Sequence, residues 1–107
     1  MWLTGYNMRI VEFIKPILVE SVICNYFRTT KCGIYKRSRE LPYMYHRQLI
    51  QYFMKNLTKL ENTDIGKRTG GYDRVTINHS IKVILNYIET DPNKRNEISE
   101  IEQRIER

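Results

Sequence analysis

The sequence predicts an all-α fold, a small helical bundle of about five to six helices that contains a helix-turn-helix. Apolar residues recur every three or four positions along most of the chain, which places them on one face of a helix. Two adjacent glycines, Gly70 and Gly71, separate a short segment of this kind from a long one, and glycine readily ends a helix. A strand over residues 75–88 is disfavoured, because the apolar spacing there is four and three rather than two.

The first helices are delimited by a proline and by a basic loop. Pro16 disfavours one continuous helix from residue 9, so we predict that the main helix spans about residues 16–26. A short helical turn is expected at about residues 30–35, followed by a basic loop that Pro42 ends. The apolar positions expected to face the core are Ile10, Phe13, Ile14, Ile17, Leu18, Val22 and Phe27.

Four more helices are predicted after the basic loop. One spans about residues 43–59, and a short one begins at Asn62 or Thr63, either of which can cap it. A long helix spans about residues 73–89, and a last one begins near Asn93. The inward positions are predicted to be Leu49, Tyr52, Phe53, Leu57, Leu60, Ile65, Ile77, Ile81, Ile84, Leu85 and Ile88, with an apolar edge at Ile98, Ile101 and Ile105.

Length and charge narrow the range of functions. The 107 residues suffice for one domain and carry a formal net charge of +6. Residues 28–82 hold twelve lysines and arginines and four acidic residues, whereas residues 83–107 have a net charge of −2. A basic block of this kind is typical of a protein that binds the phosphate backbone of nucleic acid, although a solubilising surface has the same composition.

Several other classes of function are disfavoured. No stretch reaches the roughly 18 apolar residues of a membrane helix, and the N-terminus does not resemble a signal peptide. Cys24 and Cys32 have neither redox nor zinc spacing, so we expect reduced thiols in a cytoplasmic protein. No pair of nucleophile and base stands out, and we therefore expect no enzyme activity, no metal and no cofactor.

The N-terminal end of the long helix is the candidate for DNA reading, because the second helix of a helix-turn-helix enters the major groove by that end. Arg74 is suited to bidentate hydrogen bonding with guanine. Asp73 can accept a hydrogen bond from cytosine or cap the helix, and Thr76 can hold a phosphate or touch a thymine methyl group. Lys67 and Arg68 either touch phosphate or are solvated charges at a helix C-terminus.

Residues 19–106 resemble the C-terminal DNA-binding domain of DnaA, a family of bacterial chromosomal replication initiators. The family signature Gly-Gly-Arg-Asp-His-Thr-Thr-Val-x-His-Ala is matched by GGYDRVTINHS at residues 70–80. Three further family features upstream are matched by Arg47-Gln48, Leu57-Thr58 and Asp64-Ile65-Gly66. The register runs without gaps from the basic loop to His79, so chance similarity is a poor explanation.

The resemblance implies a DnaA C-terminal-domain-like (Trp-repressor-like) fold and sequence-preferring binding of double-stranded DNA, in replication initiation at an origin or in its regulation. It implies that Arg39 reaches into a minor groove. Tyr72, Arg74 and Val75 replace the family's arginine, histidine and first threonine, which implies a DNA sequence other than the family's nine-base box. The residues expected to contact DNA are Lys36, Arg37, Arg39, Arg47, Thr63, Lys67, Tyr72, Asp73, Arg74, Val75 and Thr76.

The predicted division of the chain is a linker-like N-terminal extension over residues 1–18 and the DNA-binding domain over residues 19–107. No GxxxxGK[ST] loop occurs in the sequence, so we expect a stand-alone domain without the family's ATPase and without a nucleotide. The alternative is a protein-interaction module that binds a replication or initiator partner through the apolar run at residues 10–18. The isoleucine edge of the last helix is a second candidate partner surface.

Overall fold

The computed structural model describes residues 14–35 and 41–106, together with their side chains apart from those of Cys32 and Leu41. These residues form six helices and no strand, which confirms the predicted all-α fold. The helices are α1 (Pro16–Phe27), α2 (Lys31–Tyr35), α3 (Leu41–Leu57), α4 (Asn62–Arg68), α5 (Arg74–Thr90) and α6 (Pro92–Glu106). None of them is long and apolar enough to cross a lipid bilayer.

The central helix of the bundle is α3. It packs against α1, α2, α4 and α5, while α6 packs against α5 and α1. Leu49, Ile50, Phe53 and Met54 of α3 are each at most 1% exposed, because a helix surrounded by neighbours buries more than one stripe. The rest of the shared core consists of Val19, Ile23, Ile34, Ile65, Ile77, Ile84, Ile98, Ile101 and Ile105.

The buried face of α1 differs from the predicted one. Ile17 and Leu18 are 55% and 41% exposed, whereas Val19 and Ile23 are fully buried. The helix begins at Pro16 after a residue in extended conformation. Apolar spacing counted across that break therefore does not give the orientation of α1. The predicted positions Ile10 and Phe13 lie outside the described residues.

The last two helices pack along one side of the bundle. Leu85, predicted to be buried, is 45% exposed, because it lies about 100° around α5 from the buried Ile84. The isoleucine edge of α6 is part of the core: Ile98, Ile101 and Ile105 are at most 3% exposed. The alternative that this edge is a surface for a partner is therefore wrong, since α1 and α5 already cover it.

Candidate nucleic-acid interface

The predicted helix-turn-helix is formed by α4, a turn over residues 69–73, and α5. The carbonyl oxygen of Gly66 accepts hydrogen bonds from the backbone amides of Gly71 and Tyr72, each over 2.9 Å. Gly70 and Gly71 have φ angles of +121° and +83°, a region that residues with a Cβ rarely enter. The paired glycines therefore reverse the chain after α4, as the sequence predicts.

Gly66 lets the turn fold closely onto α4. A Cβ at this position would lie 1.9 Å from the carbonyl oxygen of Tyr72, far inside van der Waals contact. The central helix holds the turn from its other side. The side-chain amide of Gln51 donates to the Thr69 hydroxyl over 3.0 Å, and that hydroxyl donates to the carbonyl oxygen of Ile65 over 2.7 Å. The turn is thus fixed directly to α3.

The start of α4 differs from the prediction. Its N-cap is Glu61 rather than Asn62 or Thr63, and the backbone amide of Glu61 donates to Oδ2 of Asp64 over 3.4 Å. Asn62 instead connects the two helices, because its side-chain amide donates to Oδ1 of Asn78 in α5 over 2.7 Å. This hydrogen bond is a direct side-chain link between the first turn of α4 and α5.

Thr63 and Lys67, both predicted to contact the DNA backbone, are exposed on α4. They are four residues apart, and side chains at that spacing lie next to each other on one face of a helix. The structure therefore brings these two side chains together on a solvent-facing side of the helix-turn-helix. Their contact with phosphate stays a prediction.

The N-terminal end of α5 presents three exposed side chains, Arg74, Val75 and Thr76. Val75 is 68% exposed, more than the other exposed large apolar side chains of the described residues, Ile17, Leu18 and Leu85. Asp73 is the N-cap of the helix, and its Oδ1 accepts a hydrogen bond from the amide of Thr76 over 2.9 Å. Of the two roles left open for Asp73, the structure shows the capping role. We call residues 74–76 the recognition tip.

Arg47 and Tyr72 are less accessible than the other predicted contacts. Arg47 is 8% exposed, and its Nη1 donates to the carbonyl oxygen of Ile34 over 3.1 Å. Its guanidinium carbon lies 5.1 Å from the centre of the half-buried Tyr72 ring, within the range of a cation–π contact. These contacts favour a supporting role beneath the turn, and direct contact of either residue with DNA stays a prediction.

The predicted basic-loop contacts Lys36, Arg37 and Arg39 lie outside the described residues. The residue before them, Tyr35, ends α2 next to the turn, because a Cβ on Gly70 would lie 2.7 Å from the Tyr35 carbonyl oxygen. The chain therefore enters the basic segment at a point adjacent to the helix-turn-helix.

One ion pair beside the interface was not predicted from the sequence. Arg68, expected to be solvated or to touch phosphate, donates to the carboxylate of Glu20, which is 2% exposed. Tyr35 also donates its hydroxyl to Glu20, and burial together with this hydrogen bond raises the pKa of Tyr35 above its usual value. The sequence signal for this ion pair was that the charged Glu20 lies between the apolar residues Val19 and Ile23. Its burial becomes evident only when the orientation of α1 in the bundle is known.

Comparison with known proteins supports the same assignment. A family model described as "Bacterial dnaA protein helix-turn-helix" matches residues 16–84. The chain is 30% identical over 86 residues to the chromosomal replication initiator protein DnaA of Bacteroides thetaiotaomicron, which covers 80% of this chain and 18% of that protein. The chain is 33% identical over 88 residues to DnaA of Lachnoclostridium phytofermentans, a match that covers 82% of this chain and 19% of that protein. It is 30% identical over 99 residues to DnaA of Geotalea daltonii, a match that covers 90% of this chain and 22% of that protein.

The chain thus spans about a fifth of the length of these curated relatives. The matched region begins at the first residue of α1 and includes the whole turn and the recognition tip. This chain therefore belongs to the bacterial DnaA helix-turn-helix family.

Proposed function

We propose that the chain binds double-stranded DNA with a preference for sequence and acts in the initiation of DNA replication or in its control. The observation that carries this proposal is the exposed recognition tip at the capped N-terminus of the second helix of a DnaA-type helix-turn-helix. The relatives named above are chromosomal replication initiators, which supports the replication context. A helix N-terminus also attracts phosphate through its free amides.

The proposed DNA contacts divide into base-reading and backbone-binding groups. Arg74 bonds a guanine in the major groove, and Val75 contacts a thymine methyl group, since each side chain has the matching chemistry. Arg39 enters an adjacent minor groove. The backbone contacts, which position the protein without reading sequence, come from Lys36, Arg37, Thr63, Lys67 and Thr76. Asp73 orients the tip as its cap, and Arg47 and Tyr72 support the turn from below.

Selection from a pool of randomised duplexes, followed by sequencing, tests the proposal. The wild-type chain is expected to enrich one sequence. Arg74→Ala should then lose about 1–3 kcal/mol of binding free energy on that sequence and relax the preference at one base pair. Arg104→Ala is the matched control, because it removes the same charge from α6, where Arg104 pairs with Glu100 over 2.9 Å.

The expected result for Arg104→Ala is an unchanged sequence preference. An Arg74→Ala variant that selects the wild-type sequence with wild-type affinity contradicts the proposal.

A second candidate function is protein interaction, and one observation favours it. Ile17 and Leu18 at the start of α1 are exposed apolar side chains within the run that the sequence suggested for a partner. The same selection distinguishes the two functions. A wild-type chain that enriches no DNA sequence but forms a stoichiometric complex with an initiator protein supports this second function.

A further inference from the structure

A buried carboxylate on α1 contacts the ends of two helices that border the turn. Glu20 is 2% exposed and accepts a hydrogen bond from the hydroxyl of Tyr35, the last residue of α2. It also accepts two from Arg68, the last residue of α4, with Nη2–Oε1 and Nε–Oε2 distances of 3.0 and 3.3 Å. Lys31 adds an ionic contact, with 3.7 Å between its Nζ and Oε1. One side chain thus holds the C-terminal ends of α2 and α4.

This network is better suited to fixing geometry than to adding stability. A buried carboxylate is unfavourable unless charged donors surround it, and an apolar residue of similar volume often packs at least as stably. The side chains of Arg68 and Lys31 remain 39% and 50% exposed, so the acid alone is buried. The two-point contact with Arg68 fixes the direction of the guanidinium group as well as its distance.

Two of the residues that contact Glu20, Tyr35 and Arg68, adjoin the turn. Arg68 directly precedes residues 69–73 in the chain. The carbonyl oxygen of Tyr35 lies 2.7 Å, and the ring of Tyr72 3.0 Å, from the point where a Cβ on Gly70 would be. The recognition tip follows the turn directly in the chain, so any shift of the turn changes the position of the tip.

We propose that Glu20 is a positioning residue for DNA recognition. Through Tyr35 and Arg68 it fixes the turn relative to α1 and α2, and it thereby sets how Arg74 and Val75 meet the bases. Groups that recognise a ligand must be held to within about 0.5 Å of their productive geometry, which exposed contacts alone do not ensure. The proposal rests on the DNA-binding function proposed above.

The test compares two duplexes of equal length, one with the sequence enriched by the wild-type chain and one with random sequence. Glu20→Gln keeps the size of the side chain and removes its charge. The resulting rise in net charge by itself favours DNA binding. We expect the opposite on the enriched duplex, about a tenfold loss of affinity, with no loss on the random duplex. Glu100→Gln, which neutralises a carboxylate paired with Arg104 on α6, is the matched control and should keep the wild-type ratio of affinities.

Two further measurements separate positioning from a general loss of structure. Arg68→Gln should also lower the ratio of the affinities for the enriched and random duplexes. The double variant Glu20→Gln/Arg68→Gln should lose no more affinity for the enriched duplex than the more affected single variant, because both changes break the same Glu20–Arg68 contact. In a nitrogen–proton correlation spectrum recorded without DNA, the amide signals of Gly70 and Gly71 should move in Glu20→Gln.

The outcomes are distinct. Any one of three results with a folded Glu20→Gln variant overturns the proposal. These are a wild-type ratio of affinities, an equal loss of affinity on both duplexes, and unmoved amide signals of Gly70 and Gly71. A wild-type chain that enriches no sequence refutes the DNA-binding function itself and the positioning role with it. If Glu20→Gln does not fold, Tyr35→Phe, which removes only one hydroxyl group from the network, takes its place in the same comparison.

Discussion

At the scale of single residues, Gly66 has no room for a side chain in the helix-turn-helix. Gly66→Ala should lower the free energy of unfolding by about 1–3 kcal/mol or more, because the added methyl group meets the Tyr72 carbonyl at 1.9 Å. The gain of about 0.5–1 kcal/mol that alanine usually brings inside a helix does not offset this clash. Urea-induced unfolding followed by circular dichroism measures the change.

Gly33→Ala is the matched control for this prediction. A Cβ on Gly33 would come no closer than 3.5 Å to its neighbours, so alanine fits α2 without strain. We expect a stabilisation of about 0.4–1 kcal/mol, chiefly through the lower entropy of the unfolded chain. Equal effects of the two substitutions would show that the turn does not pack on α4 in this way.

The exposure of Val75 leads to a prediction about a single methyl group of the DNA. Replacing the contacted thymine by deoxyuridine removes only the 5-methyl group, which should cost the wild-type chain about 0.8 kcal/mol, or about fourfold in affinity. Val75→Ala should lose affinity for thymine DNA and become insensitive to this replacement. Titrations with both duplexes measure the two effects.

Deoxyuridine at thymines outside the enriched sequence serves as the control and should leave the affinity unchanged. Equal sensitivity of wild type and Val75→Ala at every thymine would exclude Val75 as the contacting side chain.

Several residues show where sequence reasoning stops. Local rules indicated the N-terminal end of the long helix, with Asp73, Arg74 and Thr76, as the candidate for DNA reading, and the structure shows all three of these residues exposed. Val75 was added by the family resemblance. The contacts of Glu20, Arg68 and Arg47 did not follow, because each depends on a residue at least 11 positions away in the chain. Sequence reasoning predicts that polar side chains of this kind are exposed to solvent, and their burial becomes evident only when their tertiary neighbours are known.

At the level of helices, boundaries were more predictable than faces. The break at Pro16 and the stop at Gly70 and Gly71 are determined by local backbone chemistry, and the observed helices begin or end at or close to these residues. Which side of a helix is buried depends on its neighbours. The predicted faces therefore failed at Ile17 and Leu18 of α1, although most of the inward positions of α3 and α5 were correct.

The last helix lies beyond the family match at residues 16–84 and is nevertheless part of the core. Ile101→Ala should lower the free energy of unfolding by about 2–5 kcal/mol, since the residue is fully buried. The urea midpoint is the measurement. Ser99→Ala, at an exposed position of the same helix, should change stability by no more than about 0.5 kcal/mol. Comparable midpoints for the two variants would mean that α6 unfolds separately.

For the whole molecule, the uneven distribution of charge predicts a salt-dependent affinity. Residues 28–82 carry a net charge of +8, while residues 83–107 carry −2. If Lys36, Arg37 and Lys67 each neutralise one phosphate, the logarithm of the binding constant should fall with the logarithm of salt concentration with a slope of roughly −2.7. Filter binding or fluorescence anisotropy at several salt concentrations gives this slope.

Lys67→Ala should reduce the steepness of that slope by about 1. Arg104→Ala lowers the net charge equally but lies on α6, and its slope should match the wild-type value. A slope near zero in the wild-type chain would contradict binding through the phosphate backbone.

The pairing of α1 with α6 makes the core close late in synthesis. These helices contact each other although 64 residues separate the end of one from the start of the other. A ribosome adds about 5–20 residues per second, and α1 emerges first. Until α6 has left the exit tunnel, Ile98, Ile101 and Ile105 cannot cover the apolar face they bury in the finished fold. A nascent chain stalled in α5 therefore shows apolar surface to chaperones and proteases, and the core is completed only after α6 has emerged.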